Sequence, residues 1–556
     1  MNNSAAQKAT AAGMPWLKSY PPGVDWNLNA DAQPLFAMLD RTAQKYPEQV
    51  AVVFGGQSYT YAELLGIVDR AAAGLQALGV GKGIKVGLFM PNSIYVVALY
   101  YATLKAGGTV VNYNPVYAER DLVYQAEDSE TDFLVTLDQA PLMEKVGVLL
   151  EKTRVRRIIV CPAQDDMRTS GKTQELGENY TWFCDLLTGA DKPAPVDVDF
   201  ENDIAVLQYT GGTTGTSKGA VLTHKNLVMN TLQTSKWHNE GTDGEGALIA
   251  ALPLFHVFAM TVLMNMAVLR GFKLFLLPQF DLREMLSLVH NEKPAYLHGV
   301  PTIFMAIANY DKVGDYDFSS VKACVAGGAP LPVEVKALFE KRTGVRCLVE
   351  GYGLTEASPL VTLNPMTSNT RAGSIGVPVP ETVVDIVSID DGVTVMPVGE
   401  RGEICVTGPQ VMKGYYNKAE ETARVLKNGR LHTGDVGYMD EDGFIYIVDR
   451  IKDLIIVSGY NVYPRHIEEA IYCHPEVKEC IVAGVPDKLR GEVPYAWVKP
   501  VDGSTLDAGK LRAFLDDKLS PIEMPRKIII REEALPKTAV GKLSKKDLLA
   551  QEGFAK

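Results

Sequence analysis

Cysteine pairs at metal-binding or redox spacing are missing from this 556-residue chain. Its seven cysteines, at 161, 184, 324, 347, 405, 473 and 480, are odd in number, scattered and never arranged as CxxC. Neither a disulfide framework nor a zinc site is expected, and the pattern fits reduced thiols in a cytosol. An excess of positive charge is missing too: 55 basic residues stand against 67 acidic ones, for a net charge of −12. This leaves no electrostatic footprint for nucleic acid, and an anionic ligand must meet local rather than global positive charge. No secretory signal opens the chain, because MNNSAAQKATAAGMPW lacks a basic start followed by an apolar run, so residues 1–19 are expected to form a mobile leader. No internal period or low-complexity tract suggests a solenoid. A single apolar stretch, Ala247 to Leu269, is long enough to span a bilayer, but Pro253, His256 and Asn265 interrupt it, and a buried strand and helix are expected there.

What is present is an ordinary globular composition, 46% apolar and 22% charged, in a chain longer than one core usually serves, so at least two domains are expected. Thr60 and Glu63 have capping-box spacing; apolar positions recur at Leu64, Ile67, Ala71, Leu75 and Leu78, and Gly79 stops the helix. KVGLF, a helix from Ser93 to Lys105, TVVNY, a helix from Glu119 to Asp128, DFLVTL and RRIIV then alternate. That order predicts an α/β fold with stacked, largely parallel sheets. The run DRIKD at Asp449 to Asp453 separates this region from about a hundred residues with their own helix and strand pattern. The expected organisation is a leader at 1–19, a large domain at 20–448, a hinge at 449–453 and a small domain at 454–556.

The segment Tyr209 to Ala220, YTGGTTGTSKGA, concentrates glycine, hydroxyls and one lysine. Gly211, Gly212 and Gly215 free the backbone to curl so that N–H groups converge. Thr210, Thr213, Thr214, Thr216 and Ser217 add donors, and Lys218 adds charge. An oligophosphate would satisfy them all. It is not a Walker loop, since Ser217 rather than glycine precedes Lys218, and the flanking AVLQY and GAVLT read as strands. A flexible connecting loop is the alternative reading of this segment alone.

Further clusters are GGAP at Gly327 to Pro330, GYGLTE at Gly351 to Glu356, TGD at Thr433 to Asp435 and PKTAVGK at Pro536 to Lys542. With LPLFHVFA at Leu252 to Ala259 and DRIKDLIIVSGYNVYP at Asp449 to Pro464, they occur in the order of one known pattern. Over nearly its whole length the chain closely resembles the adenylate-forming superfamily of acyl-CoA synthetases, luciferases and peptide-synthetase adenylation domains, and most closely the bacterial long-chain fatty-acid CoA ligases. The resemblance implies a large N-terminal domain of stacked sheets with helices and a small mobile α+β C-terminal lid. It also implies ATP-dependent, AMP-forming conversion of a medium- to long-chain fatty acid to its acyl-CoA through an acyl-adenylate, with ATP and coenzyme A as co-substrates and Mg²⁺ as cofactor.

Carried onto matching positions, the resemblance assigns Lys218 and the Thr213 and Thr214 region to the departing pyrophosphate, with Thr210, Gly211, Gly212 and Gly215 among the residues that bind ATP or AMP. Gly327, Gly328, Ala329 and Pro330 bring backbone close to the nucleotide. Gly351 and Gly353 give room for Tyr352 to stack on adenine, Thr355 lies beside the α-phosphate, and Glu356 holds Mg²⁺. Asp435 and Arg450 bind the ribose. Lys542 bridges the attacking carboxylate and the α-phosphate, while its neighbours Lys545 and Lys546 are expected on a solvated face. Lys452 is the hinge, after whose rotation Ser458, Gly459 and Tyr460 help to form the coenzyme A channel. Read singly, Glu356 is only a solvated acid, Tyr352 a core residue and Lys542 a surface lysine; the strings and their order reverse those readings.

His256, Phe258, Met260, Val300 and Gly327 are the expected acyl contacts. Some long-chain members carry a gating tryptophan at the position of Met260, so this departure bears on gating and chain length. Aromatic or dicarboxylic acids are the alternative substrates. A fatty-acyl-AMP ligase serving a carrier protein is a further alternative, although Ala357 to Gly373 is short for the insertion such proteins carry. A cytoplasmic location is expected. Contact with the inner face of the membrane, a homodimer, and a lysine acetyltransferase acting on Lys542 are compatible with it.

Overall fold

The computed structural model describes residues 13–163, 166–169, 171–210, 217–239, 241–366, 369–458, 460–487, 489–538 and 543–554. The capping box forms as its spacing predicts. Thr60 accepts from the backbone N–H of Glu63, Glu63 accepts from that of Thr60, and the helix Tyr61–Ala77 runs until Gly79 turns the chain at φ +91°. Reciprocal capping of this kind stabilises a helix by about 1 kcal/mol. The helices Ile94–Lys105 and Glu119–Asp128 likewise lie where the alternating pattern expects them. The first of these is apolar on nearly every side, because the parallel sheet and a second helix layer cover it.

Seven strands make the largest sheet, in the order Tyr180–Trp182, Arg157–Cys161, Phe133–Leu137, Lys85–Leu88, Thr109–Asn112, Ile204–Thr210 and Lys218–Thr223. All neighbours are parallel except the last pair, which is antiparallel. AVLQY and GAVLT are therefore adjacent strands that hold the two ends of the glycine-rich segment side by side. A five-stranded sheet joins Tyr296–Gly299, Ala323–Ala326 and Leu348–Gly353 in parallel, then Leu360–Leu363 and Val377–Pro378 in antiparallel. A four-stranded sheet contains Ala247–Ala250. That strand and the wide helical turn Ala259–Asn265 are buried, as expected for the long apolar stretch. Among the described residues no helix is long and apolar enough to cross a membrane.

An antiparallel sheet of Val383–Val387, Gly402–Thr407, Arg430–Met439, Leu426–Lys427 and Ile445–Arg450 completes the large domain. The small C-terminal domain is built on Tyr460–Val462, Ile455–Val457, Gly491–Pro500, Val477–Asp487 and Lys527–Ile530. Buried apolar side chains from Trp16 to Ile445 form one continuous core, and those from Ile455 to Leu548 form two smaller ones.

Residues 15–19, expected within a mobile leader, are instead docked on the large domain. Pro15–Ser19 form a 3₁₀ turn in which Trp16 is buried, Ser19 Oγ donates to the Asp442 carbonyl at 2.8 Å and Lys18 pairs with Asp442. Gly443 permits this docking, since a Cβ there would lie 2.3 Å from the Trp16 Cα.

Candidate active site

The strand Leu348–Gly353 and the 3₁₀ turn Thr355–Ala357 carry GYGLTE into the middle of the candidate site. Gly351 is buried beneath Leu363, and Gly353 passes so close to Pro359 that a Cβ would meet the Pro359 carbonyl oxygen at 2.2 Å. Glycine at 353 is thus required by the return of the chain. The neighbouring strand Ala323–Ala326 delivers GGAP alongside, with the Gly327 N–H donating to Gly299 and Gly328 at φ +81°. A Cβ on Gly327 would touch the Phe258 ring at 3.1 Å and the Gly351 carbonyl oxygen at 3.6 Å. Segments 252–259, 327–330 and 351–356 therefore converge at the carboxyl ends of parallel strands, where α/β folds bind ligands. A cavity of about 510 Å³ lined by Tyr316, Phe318, Val345 and Arg346 lies at the opposite ends of these strands and is unrelated to the motifs.

Two polar groups flank this strand. On one side Tyr352 Oη donates to Asp435 Oδ2 at 2.5 Å, and Arg450 Nε donates to Asp435 Oδ1 at 3.0 Å. Burial and the facing carboxylate push the Tyr352 hydroxyl well above its usual range. Asp435 and Arg450 are direct partners across two antiparallel strands, so sheet register fixes their distance. On the other side Glu356 Oε1 accepts from Tyr415 Oη at 2.7 Å, and Lys218 lies over the Tyr415 ring, 5.3 Å from its centre. Lys218 also pairs with Glu421. No second donor reaches the Glu356 carboxylate among the described residues, and an oxygen-only ligand of this type suits Mg²⁺.

Thr210 and Lys218 face each other at the mouth of the glycine-rich segment, and Ser217 Oγ donates to the Thr210 carbonyl at 2.6 Å. Gly211, Gly212, Thr213, Thr214 and Gly215 lie outside the described residues, as do Gly459 and Lys542. Ala329 and Pro330 lie on the open side of the GGAP turn, and Thr355 is half-buried. Of the acyl candidates, Met260 and Val300 are buried, whereas His256 and Phe258 are half-buried. The His256 ring accepts from the Phe258 N–H at 3.3 Å, and Asn112 donates to the Met260 sulfur at 3.3 Å. Ser458 and Tyr460 are exposed, and Lys452 is exposed within the 3₁₀ turn Ile451–Asp453.

The expectation of a solvated Lys545 needs correction. Its amine lies 3.3 Å from Glu468 and 4.0 Å from Asp453. Burial works against its charge, yet Glu468, Asp453 and Asp449 together hold its pKa above the ordinary value. Asp449 in turn accepts the Arg465 N–H at 2.9 Å, in the first turn of the helix Pro464–Tyr472. Its own pKa is raised to about 6 by burial, with Lys545 opposing.

Sequence reasoning missed Tyr415 and Glu421, which lie far from every motif yet contact Glu356 and Lys218. It also missed an underlayer in which Asp128 accepts from Tyr209 at 2.8 Å and pairs with Lys418 at 2.5 Å. The GYY string at 414–416 was the available signal; its main chain pairs with the strand Lys218–Thr223 as an added edge.

The chain matches the sequence profile of AMP-binding enzymes over residues 39–416 and that of the AMP-binding enzyme C-terminal domain over 466–542. It is 41% identical to a long-chain-fatty-acid–CoA ligase of Bacillus subtilis, across 97% of this chain and 98% of that one. It is 36% identical to a feruloyl-CoA synthase of Amycolatopsis, across 91% and 96%. The fold superposes on ATP-bound MatB from Rhodopseudomonas palustris with a TM-score of 0.83 at 29% identity, covering 93% of this chain and 99% of that one. Two matched domains, full-length relatives and motifs gathered on one strand end lead to the same place: this chain belongs to the AMP-binding, adenylate-forming enzyme family.

Proposed function

We propose that the protein is a long-chain fatty-acid CoA ligase that activates its substrate with ATP, releasing pyrophosphate, and then transfers the acyl group from AMP to coenzyme A. The carrying observation is the 41% identity to a ligase of that name over nearly the whole of both chains. The convergence of Tyr352, Asp435, Arg450, Glu356 and Lys218 around one strand supports it.

A carboxylate is a poor acyl donor, and joining it to AMP converts its oxygen into a good leaving group. In the first step a carboxylate oxygen attacks the α-phosphorus, and the bond from that phosphorus to the pyrophosphate oxygen breaks. The obstacle is repulsion between anionic oxygens, and each well-placed donor or cation in a water-poor site lowers such a barrier by about 3 to 4 kcal/mol. Lys218 and the 210–215 segment take the pyrophosphate, Thr355 the α-phosphate, and Lys542 the two reacting groups. Glu356 would hold Mg²⁺, which supplies charge neutralisation between the phosphates when bound. Asp435 and Arg450 bind the ribose, Tyr352 faces the adenine, and Gly327 to Pro330 let the main chain approach the nucleotide. The acid is ionised at neutral pH, so this step needs no general base.

In the second step the coenzyme A sulfur attacks the acyl carbon, the bond from that carbon to the AMP phosphate oxygen breaks, and the thiol proton is released to solvent as AMP leaves. A lid carrying Lys542 over the site obstructs the thiol, so the lobe from 454 onward turns about Lys452 and presents Ser458 to Tyr460 as the channel. The separate cores on either side of 449–453 support two lobes joined there. His256, Phe258, Met260, Val300 and Gly327 form the acyl side. Each methylene buried there contributes about 0.8 kcal/mol to chain-length preference.

A second reading, an aromatic-acid ligase, is favoured by the 36% identity to a feruloyl-CoA synthase. Pyrophosphate release measured over saturated fatty, aromatic and dicarboxylic acids separates the two. Highest kcat/KM with long saturated acids is expected, and preference for a cinnamic-type or dicarboxylic acid would replace the fatty-acid assignment.

A further inference from the structure

Pairing between the strands Gly402–Thr407 and Arg430–Met439 is interrupted at one place. Glu403 faces Val436 and Cys405 faces His432, so Ile404 alone stands opposite Thr433, Gly434 and Asp435. The bulge throws TGD out of the ladder, and Gly434 takes φ +76° at its crest. Bulges re-aim side chains in this way, and they also leave main-chain groups without ladder partners. The Gly434 N–H donates instead to Glu403 Oε1 at 2.9 Å. The Asp435 N–H donates to Thr433 Oγ1 at 3.1 Å, and that hydroxyl donates to the Ile404 carbonyl at 2.7 Å. The second Glu403 oxygen accepts from His432 Nδ1 at 2.7 Å.

Glu403, His432, Cys405 and Asp435 are all buried. Glu403, Cys405 and His432 bring three atoms capable of ligating a metal within 4.8 Å of one another. Both carboxylate oxygens are already committed to N–H donors, which is the geometry of a brace and not of an open ligand set. A buried carboxylate costs several kcal/mol unless it is well hydrogen-bonded, so its use here needs a return. What it secures is the main chain on which Asp435 stands.

We propose that Glu403, oriented by His432, is a positioning residue for ribose recognition: it holds the bulge at 433–435 so that the Asp435 carboxylate meets the sugar hydroxyls of ATP. The inference rests on the ribose role of Asp435 in the proposed function. Glu403 touches no substrate. It acts by limiting where Asp435 can be, and its loss takes from the half-buried Gly434 N–H its acceptor.

The test compares ATP with 2′-deoxy-ATP at saturating acid and coenzyme A in wild type, Glu403→Ala, Glu403→Gln and Asp435→Asn. Glu403→Ala is expected to lower kcat/KM for ATP about tenfold, the scale of one hydrogen bond to a charged group, while that for 2′-deoxy-ATP changes far less. The KM for coenzyme A should stay constant. Glu403→Gln keeps an acceptor for Gly434, and His432 can adopt the matching tautomer, so it should remain within about threefold of wild type. Equal losses on both nucleotides in a folded Glu403→Ala enzyme would overturn the proposal, because general loosening cannot select for a hydroxyl. Where Glu403→Ala fails to fold, Thr433→Val removes the hydroxyl relay to Asp435, and unchanged discrimination in that variant overturns it equally. Asp435→Asn distinguishes the two levels. If it leaves discrimination intact, the ribose assignment itself fails; if it abolishes discrimination while the Glu403 variants do not, only the brace fails.

Discussion

Tyr352 and Asp435 stand 83 positions apart in the chain and share a hydrogen bond of 2.5 Å. The tyrosine hydroxyl donates to one carboxylate oxygen while Arg450 donates to the other. Two motifs from different sheets are thereby coupled, and the Asp435 carboxylate is held from both sides.

Tyr352→Phe removes that donor and keeps the ring. Hydrogen bonds to charged groups are worth about 1.5 to 3 kcal/mol, so the KM for ATP should rise about tenfold or more with the KM for coenzyme A unchanged. Steady-state kinetics with each substrate varied in turn checks this. An unchanged KM for ATP would mean that the hydroxyl serves folding alone.

Lys218 pairs with Glu421. Under the role proposed for Lys218, an incoming pyrophosphate group displaces that carboxylate. Glu421→Gln should therefore lower the KM for ATP about twofold to fivefold, the scale of a part-exposed ion pair, and strengthen inhibition by pyrophosphate. A weaker grip on pyrophosphate in this variant would assign Glu421 a helping role instead.

Lys542→Ala should reduce adenylation at least a hundredfold, or about 3 kcal/mol of transition-state stabilisation, while thioester formation from supplied acyl-adenylate survives much better. Acetylation of Lys542 removes the same charge and should reproduce the split. Pyrophosphate release and acyl-CoA formation measured separately decide it; equal losses in both would deny a division of labour between the half-reactions.

Glu350 is buried against the Leu331 N–H, and burial, opposed by Arg465, raises its pKa from about 4.5 to about 7. Between those values the folded protein holds a proton that the unfolded chain has released. This carboxyl's contribution to stability is thus full below about pH 4.5 and declines as pH rises through 7. Glu350→Gln keeps an acceptor for Leu331 and should raise Tm at pH 8 more than at pH 5.5. A pH-independent change in Tm would contradict the shift.

His224 and His238 carry the opposite sign. Burial lowers both from 6.5 to about 4, so the unfolded chain gains protons first on acidification and stability falls between pH 6.5 and 4. His238 also meets the buried His298, nitrogen to nitrogen, at 2.9 Å. Thermal melts of His224→Gln should show a shallower loss of Tm over that range than wild type. The Gln amide oxygen can still accept the Leu35 N–H that the ring nitrogen accepts at 3.1 Å. An equally steep loss in the variant would place the acid sensitivity elsewhere.

Local rules were enough to read the capping box at Thr60, the alternation from Lys85 to Cys161 and the two strands around the glycine-rich segment, because each depends on neighbours a few residues away. Ordered motifs were enough to name the family and to single out Tyr352, Glu356, Asp435 and Arg450. Folding alone revealed that Glu421 sits on Lys218, that Tyr415 holds Glu356, that Glu403 accepts from the main chain of TGD and that Lys545 is drawn into an acidic cluster with Glu468 and Asp453. A charged side chain looks the same in a sequence whether water or a carboxylate surrounds it. Its role is set by strand register and sheet packing, which bring together groups as far apart as the 203 positions between Lys218 and Glu421.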